Sequence, residues 1–200
     1  LGVDLSPRMV AAGRQQLAAS DHIELLVGDG ERLGELLAGR MFDYVLYNAA
    51  IFIFPDPEST FREAAACLAP GGRIGFSFYP SLEGPAGEDL LLLAFTRLGE
   101  PPPRYRVITD YPAACQALEK FCPLLEHHQW RRPLDLEFLN DFFAIPAQSA
   151  SLFPGRDYQA RRQLVRRLLA TLEDQTAGGA VVWRLAVGRP AAPAGEESHE

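Results

Sequence analysis

Leu1-Gly2-Val3-Asp4-Leu5-Ser6-Pro7-Arg8-Met9-Val10 opens the chain. Gly2-Val3 reads as the end of a buried strand, and Asp4 as an acid at its carboxyl end. Ser6-Pro7 starts a helix, with serine as N-cap and proline at the first helical position, where its missing N–H costs nothing. A strand that ends in an acid and passes at once into a helix is the first half of a βαβ unit, so a parallel strand should follow.

Apolar runs bounded by turn residues do alternate with helical patterns along the chain. Strands are predicted over 1–4, 23–27, 42–48, 73–78, 124–130 and 180–187. Helices are predicted over 7–19, 31–38, 56–68, 90–98, 112–121, 136–143 and 157–172. In the helix at 157–172, Leu164, Leu168, Leu169 and Leu172 share one face and Arg162, Arg166 and Arg167 fall largely off it. Pro70-Gly71-Gly72 is read as the turn into the strand at 73–78, 80–87 as a loop, and Pro101-Pro102-Pro103 as a stiff break. The alternation predicts an α/β fold with a largely parallel sheet.

Two hundred residues, 48% of them hydrophobic, suffice for one domain with a sizeable core. A net charge of -7 argues against nucleic acid or an anionic membrane as partner, since both reward clustered positive charge. Cys67, Cys115 and Cys122 are widely spaced and include no CxxC pair, which points to buried free thiols in a reducing, cytoplasmic setting. No metal-ligand spacing is found, and no membrane span or signal segment is read. The tail 190–200 is rich in Pro, Ala and Glu and is expected to be disordered.

Three strands end in polar residues. Asp4 can accept two hydrogen bonds from the vicinal hydroxyls of a ribose, or it can simply complement the following helix. In Gly28-Asp29-Gly30 the glycines allow close backbone approach and the carboxylate can accept from an exocyclic amine; the alternative is a plain Asp-Gly turn. Asn48, before Ala49 and Ala50, can meet a ligand's polar end or serve as a turn residue. Together the three point to one ligand-binding sheet edge.

At this point the order of residues resembles the class I S-adenosylmethionine-dependent methyltransferases, in their small-molecule branch. The matching stretches are Gly2-Val3-Asp4-Leu5-Ser6-Pro7-Arg8-Met9, then Gly28-Asp29-Gly30-Glu31-Arg32-Leu33, Phe42-Asp43-Tyr44-Val45 and Leu68-Ala69-Pro70-Gly71-Gly72-Arg73. The resemblance covers residues 1–78 well and 180–187 loosely. It implies a Rossmann-like three-layer sandwich, mostly parallel with an antiparallel C-terminal strand. It also implies S-adenosylmethionine as cofactor, with Asp4 on the ribose, Leu5 and Met9 near the adenine, and Asp29 and Gly30 at the adenine amino group. Asn48 and Ala49 would face the methionine part and the transferring methyl, while Asp43 and Pro70-Gly71-Gly72 would be structural.

The family's first, central strand, which lies between those carrying Asp4 and Asn48, and the glycine-rich loop after it have no counterpart. An N-terminally incomplete methyltransferase-like domain over 1–189 is therefore expected. The function expected of the complete protein is in-line transfer of a methyl group to a small-molecule acceptor. Such a displacement needs proximity and orientation, with a base only where the nucleophile must be deprotonated. Candidate bases are His127, His128 and Tyr47. The stretch 134–155 is the candidate substrate lid: Phe138, Phe142, Phe143, Ile145, Leu152 and Phe153 either line an apolar pocket or pack the helix at 157–172 onto the sheet.

Two other readings stand beside this one. A degenerate methyltransferase fold could serve as an interaction module without catalysis. An NAD(P)-dependent oxidoreductase of the short-chain type would need a Tyr with Lys four residues on, but Lys120, the one lysine, follows Gln116 at that spacing. The acceptor and the oligomeric state stay open.

Overall fold

The computed structural model describes residues 1–103 and 109–191. The disorder expected for the tail concerns residues that, beyond 191, lie outside the described ones. The chain begins with β1 (Gly2–Asp4), α1 (Pro7–Gln16), β2 (Leu25–Val27), α2 (Leu33–Leu37) and β3 (Phe42–Asn48). A 3-10 turn at Ile51–Ile53 leads into α3 (Pro57–Ala66) and β4 (Leu68–Ser77). Then come β5 (Ser81–Glu83), α4 (Leu90–Leu98), α5 (Tyr111–Glu119) and β6 (Leu124–Pro133). The last elements are α6 (Leu136–Phe142), α7 (Pro146–Leu152), α8 (Tyr158–Ala170) and β7 (Ala180–Arg189).

These elements form two compact units, the first holding described residues 1–77, 109–127 and 185–191, the second 78–103 and 128–184. In the first, β1 pairs in parallel with β2, placing Asp4 opposite Val27. A separate ladder pairs β3 in parallel with β4, Asn48 opposite Ser77, and β4 runs antiparallel to residues 185–188 of β7. The helix starts obey their caps: Ser6 Oγ accepts from Met9 N at 3.3 Å, and Asp56 Oδ1 accepts from Ser59 N at 2.9 Å. Ile51, Phe61, Ile74, Phe76 and Leu118 are fully buried, each contributing about 1.5–3 kcal/mol of hydrophobic stabilisation. All three cysteines are buried and unpaired by disulfides.

The second unit has its own core. Leu82, Leu90, Phe95, Phe143, Leu152 and Phe153 meet Val165, Leu168, Leu169 and Leu172 of the α8 segment and Val181 of β7. So Phe143, Leu152 and Phe153 pack against that helix, the second of the two roles open for them. β5 pairs antiparallel with residues 180–182 of β7, and Trp130 of β6 meets Trp183 of β7 with ring centroids 5.0 Å apart.

One expectation needs a new boundary and two need correction. The turn at Pro70-Gly71-Gly72 lies inside β4 and not before it: Leu68 pairs with Phe42 and Arg73 with Tyr44, so residues 69–72 leave the ladder, with Gly71 at φ +78. The stretch 80–87 is not all loop, because residues 81–83 find the start of β7 as a pairing partner. The irregular stretch after α6 contains α7, which starts at Pro146 in its first turn. Among the described residues, no helix is long and apolar enough to cross a membrane.

Candidate functional site

The carboxyl ends of β1, β2 and β3, all in the first unit, carry the site. Parallel pairing brings Asp4 beside the segment after β2, and Gly28 N donates to Asp4 O at 3.1 Å. Asp4 Oδ1 accepts from Ser6 N at 2.7 Å, and Asp29 Oδ1 accepts from Glu31 N at 3.0 Å. Asp29 thus makes the local turn that was its duller alternative, and Asp4 makes a similar turn just ahead of α1. Each does so through Oδ1, and among the described hydrogen bonds Oδ2 of each is not used.

Apolar side chains flank these acids in water. Leu5 is 72% and Met9 62% exposed. Ile53, in the 3-10 turn after β3, is 53% exposed; its place in the sequence did not single it out.

The segment after β2 closes toward β3. Tyr47 Oη lies 3.5 Å from Gly30 O and 3.3 Å from Thr60 O, and its ring meets Phe54 and Phe61 edge-on, centroids 5.8 Å apart. A Cβ on Gly30 would stand 3.3 Å from Phe54 Cζ, so the glycine lets backbone and ring approach. Burial pushes the Tyr47 phenol well above the ordinary tyrosine range. The sequence offered Tyr47 as a base; in the structure its one hydroxyl proton is shared between two backbone carbonyls, and burial disfavours the phenolate, an arrangement that suits an anchor.

Glu31 is a further group the sequence reading did not name. Its carboxyl is held above its usual range, first by burial and then by the negative charge of Asp29, against a lowering backbone hydrogen bond from Asp56.

At the end of β3, Ala49 takes φ +49, left-handed backbone that is costly for alanine. Its N–H donates to Ser77 Oγ at 2.9 Å and to Ser77 O at 3.2 Å. Ser77 Oγ in turn donates to Asn48 Oδ1 at 2.7 Å.

His127, in the first unit, has Nδ1 3.1 Å from Tyr111 Oη, whereas the exposed His128 belongs to the second unit. Among the described residues, no group of three or more His, Cys, Asp or Glu could hold a metal ion.

With this geometry in hand, residues 1–76 match the family described as a methyltransferase domain. Arsenite methyltransferase of Halobacterium salinarum is 29% identical over 80 residues, 38% of this chain and 20% of that protein. Demethylmenaquinone methyltransferase of Staphylococcus epidermidis is 33% identical over 73 residues, 36% of this chain and 30% of that protein. The chain therefore spans less than a third of the length of these curated relatives. Phosphoethanolamine N-methyltransferase 2 of Haemonchus contortus, solved with phosphomonomethylethanolamine and S-adenosylhomocysteine, aligns with a TM-score of 0.52 at 17% identity, over 95% of this chain and 43% of that one. The [4+2]-cyclase SpnF aligns at 0.51 and 14%, over 95% and 66%. Residues 1–76 thus resemble a methyltransferase domain, and the chain shares its fold with solved methyltransferases; that a cyclase shares it too shows that the fold alone does not choose the reaction.

Proposed function

We propose that the complete protein transfers a methyl group from S-adenosylmethionine to a small-molecule acceptor by in-line displacement. The observation that carries this reading is the edge itself: carboxylates at the ends of β1 and β2, each with one oxygen outside its local turn, with Leu5 and Met9 exposed in the segment that follows β1. That set fits a nucleoside, which presents hydroxyls and an amine to acceptors and a flat apolar face to side chains.

On this reading Asp4 accepts from the ribose hydroxyls, while Asp29 accepts from the adenine amine beside the side-chain-free Gly30. Leu5 and Met9 cover the adenine. Asn48 and Ala49 face the methionine end and the methyl to be transferred. When bound, the cofactor supplies an electrophilic sulfonium methyl. The chain's work is then orientation, with the acidic edge complementing a cationic ligand. His127, whose ring is oriented by Tyr111, stays a candidate proton acceptor on the first unit, and exposed His128 a candidate on the second.

Titration calorimetry with S-adenosylhomocysteine tests the reading in the full-length protein. Asp4→Ala and Asp29→Ala should each weaken binding by about 1–3 kcal/mol, the scale of a polar partner left unsatisfied. Wild-type protein that binds no S-adenosylhomocysteine, or variants that bind it undiminished, would refute the reading.

A further inference from the structure

The hydroxyl of Ser77 has one proton to give, and the structure shows where it goes. Ser77 Oγ accepts the Ala49 N–H at 2.9 Å, so its own proton points elsewhere, and Asn48 Oδ1 stands 2.7 Å away. Were the Asn48 amide turned over, the hydroxyl could take its N–H on the second lone pair, but the hydroxyl proton would lose Asn48 Oδ1 as its acceptor. Ser77 thus decides which end of the amide faces inward. Asn48 is exposed, and among the described hydrogen bonds its Nδ2 has no acceptor.

The lock reaches the backbone as well. Asn48 and Ser77 sit opposite each other in the β3–β4 ladder, at the carboxyl ends of both strands. The residue between Asn48 and the 3-10 turn, Ala49, is held in left-handed backbone by bonds to the same serine. Strain of this kind persists where surrounding contacts over-determine it, and it gathers where a ligand must be met in one geometry.

We infer that Ser77 is a positioning residue: it turns the Asn48 carboxamide so that only N–H donors face outward, toward the amino-acid carboxylate of the bound cofactor. This inference rests on the cofactor reading above and deepens it. A donor-only amide suits an oxygen anion and offers nothing to an ammonium or amine N–H. Ser77 acts only through Asn48 and Ala49.

The test compares two probes in the full-length protein. S-adenosylhomocysteine carries the amino-acid carboxylate, whereas 5′-methylthioadenosine shares the nucleoside and sulfur but lacks it. Ser77→Ala frees the amide to turn. Asn48→Asp keeps an acceptor for the Ser77 hydroxyl but replaces the outward N–H donors with a carboxylate oxygen. Both variants should bind S-adenosylhomocysteine at least about tenfold more weakly, the size of a lost charge-assisted hydrogen bond. Both should bind 5′-methylthioadenosine as the wild type does, which also shows that they are folded. If either variant keeps its affinity for S-adenosylhomocysteine, or loses both ligands in parallel, the inference is overturned and the cofactor reading survives. If the wild-type protein binds neither nucleoside, the cofactor reading falls and takes the inference with it.

Discussion

Arg131 Nη1 donates to Glu83 Oε2 at 2.9 Å, joining β6 to a carboxylate that is nearly buried at the end of β5. Arg184 and Ser81 hold the other oxygen, Ser81 at 2.7 Å. Burial by itself would raise the Glu83 pKa, but the bonds from Ser81, Arg184 and Arg131 outweigh it and hold the carboxyl below its usual range. The second unit, whose hydrophobic core is separate, therefore carries an ion network that ties three strand segments together.

That network should make the stability of the second unit depend on pH. A carboxyl depressed in the fold contributes stability that is present above its unfolded pKa and lost as pH falls through the folded value. Glu83→Gln should cost about 1–2 kcal/mol at pH 7, at the modest end because the two arginines are partly exposed and can rehydrate. In denaturant titrations the gap between wild type and variant should narrow below about pH 4, where the wild-type carboxyl protonates too. A gap that stayed constant down to pH 3 would mean that packing, not charge, sets the cost.

Glu31 should show the opposite sign. Its carboxyl is raised by burial and by the charge of Asp29, more than the backbone hydrogen bond from Asp56 lowers it, so ionising it at neutral pH works against the fold. Glu31→Gln keeps an acceptor and removes the repulsion, so unfolding should become harder by about 0.5–1 kcal/mol at pH 7. The gain should vanish as pH falls below the carboxyl range, because the wild-type side chain is then neutral as well. A variant less stable than wild type at pH 7 would show that the backbone hydrogen bond from Asp56 to the carboxylate outweighs the repulsion.

The elements that sequence made legible are those whose ends carry chemistry. Ser6-Pro7, Asp56-Pro57 and Asp89 each mark a helix start, and α4 runs Leu90–Leu98, the span predicted, because an Asp cap and Gly99 close both ends. β3 matches its predicted span of 42–48 as well. β5 was missed because three residues have no periodicity to read; they become a strand only when Ala180–Val182, about 100 residues later, supplies the ladder. The candidate site divides in the same way. Asp4, Asp29 and Asn48 announce themselves as polar ends of apolar runs. Glu31, Ile53 and Ser77 matter through long-range placement, and Ser77 reads as the last residue of an ordinary strand until Asn48 is seen opposite it.

Tyr47 separates an anchor from a base. Its hydroxyl gives up two long hydrogen bonds, 3.3 and 3.5 Å, in Tyr47→Phe, while the ring keeps its edge contacts with Phe54 and Phe61. Stability should fall by about 0.5–1.5 kcal/mol, and S-adenosylhomocysteine affinity should be unchanged. A stable variant with lost ligand affinity would place the hydroxyl in the ligand site after all.

Gly71 and Gly72 are adjacent, but alanine at each should fail for a different reason. Gly71 has φ +78 with nothing within 4 Å of an added Cβ, so Gly71→Ala meets backbone strain and no clash. Left-handed backbone costs an L-residue about 1–2 kcal/mol. Gly72 has ordinary φ, but its added Cβ would stand 2.9 Å from Ala69 O and 3.1 Å from Asp43 O. Both are backbone atoms of the β3–β4 bulge, which cannot rotate aside as a side chain would. Gly72→Ala should therefore cost about 1–3 kcal/mol by overpacking, and it should disturb the ladder itself. Hydrogen exchange separates the two: Gly71→Ala should lower protection evenly with global stability, whereas Gly72→Ala should lower it most at the β3–β4 amides. Equal, uniform losses in both variants would argue that the Gly72 backbone does not pack closely against Ala69 and Asp43.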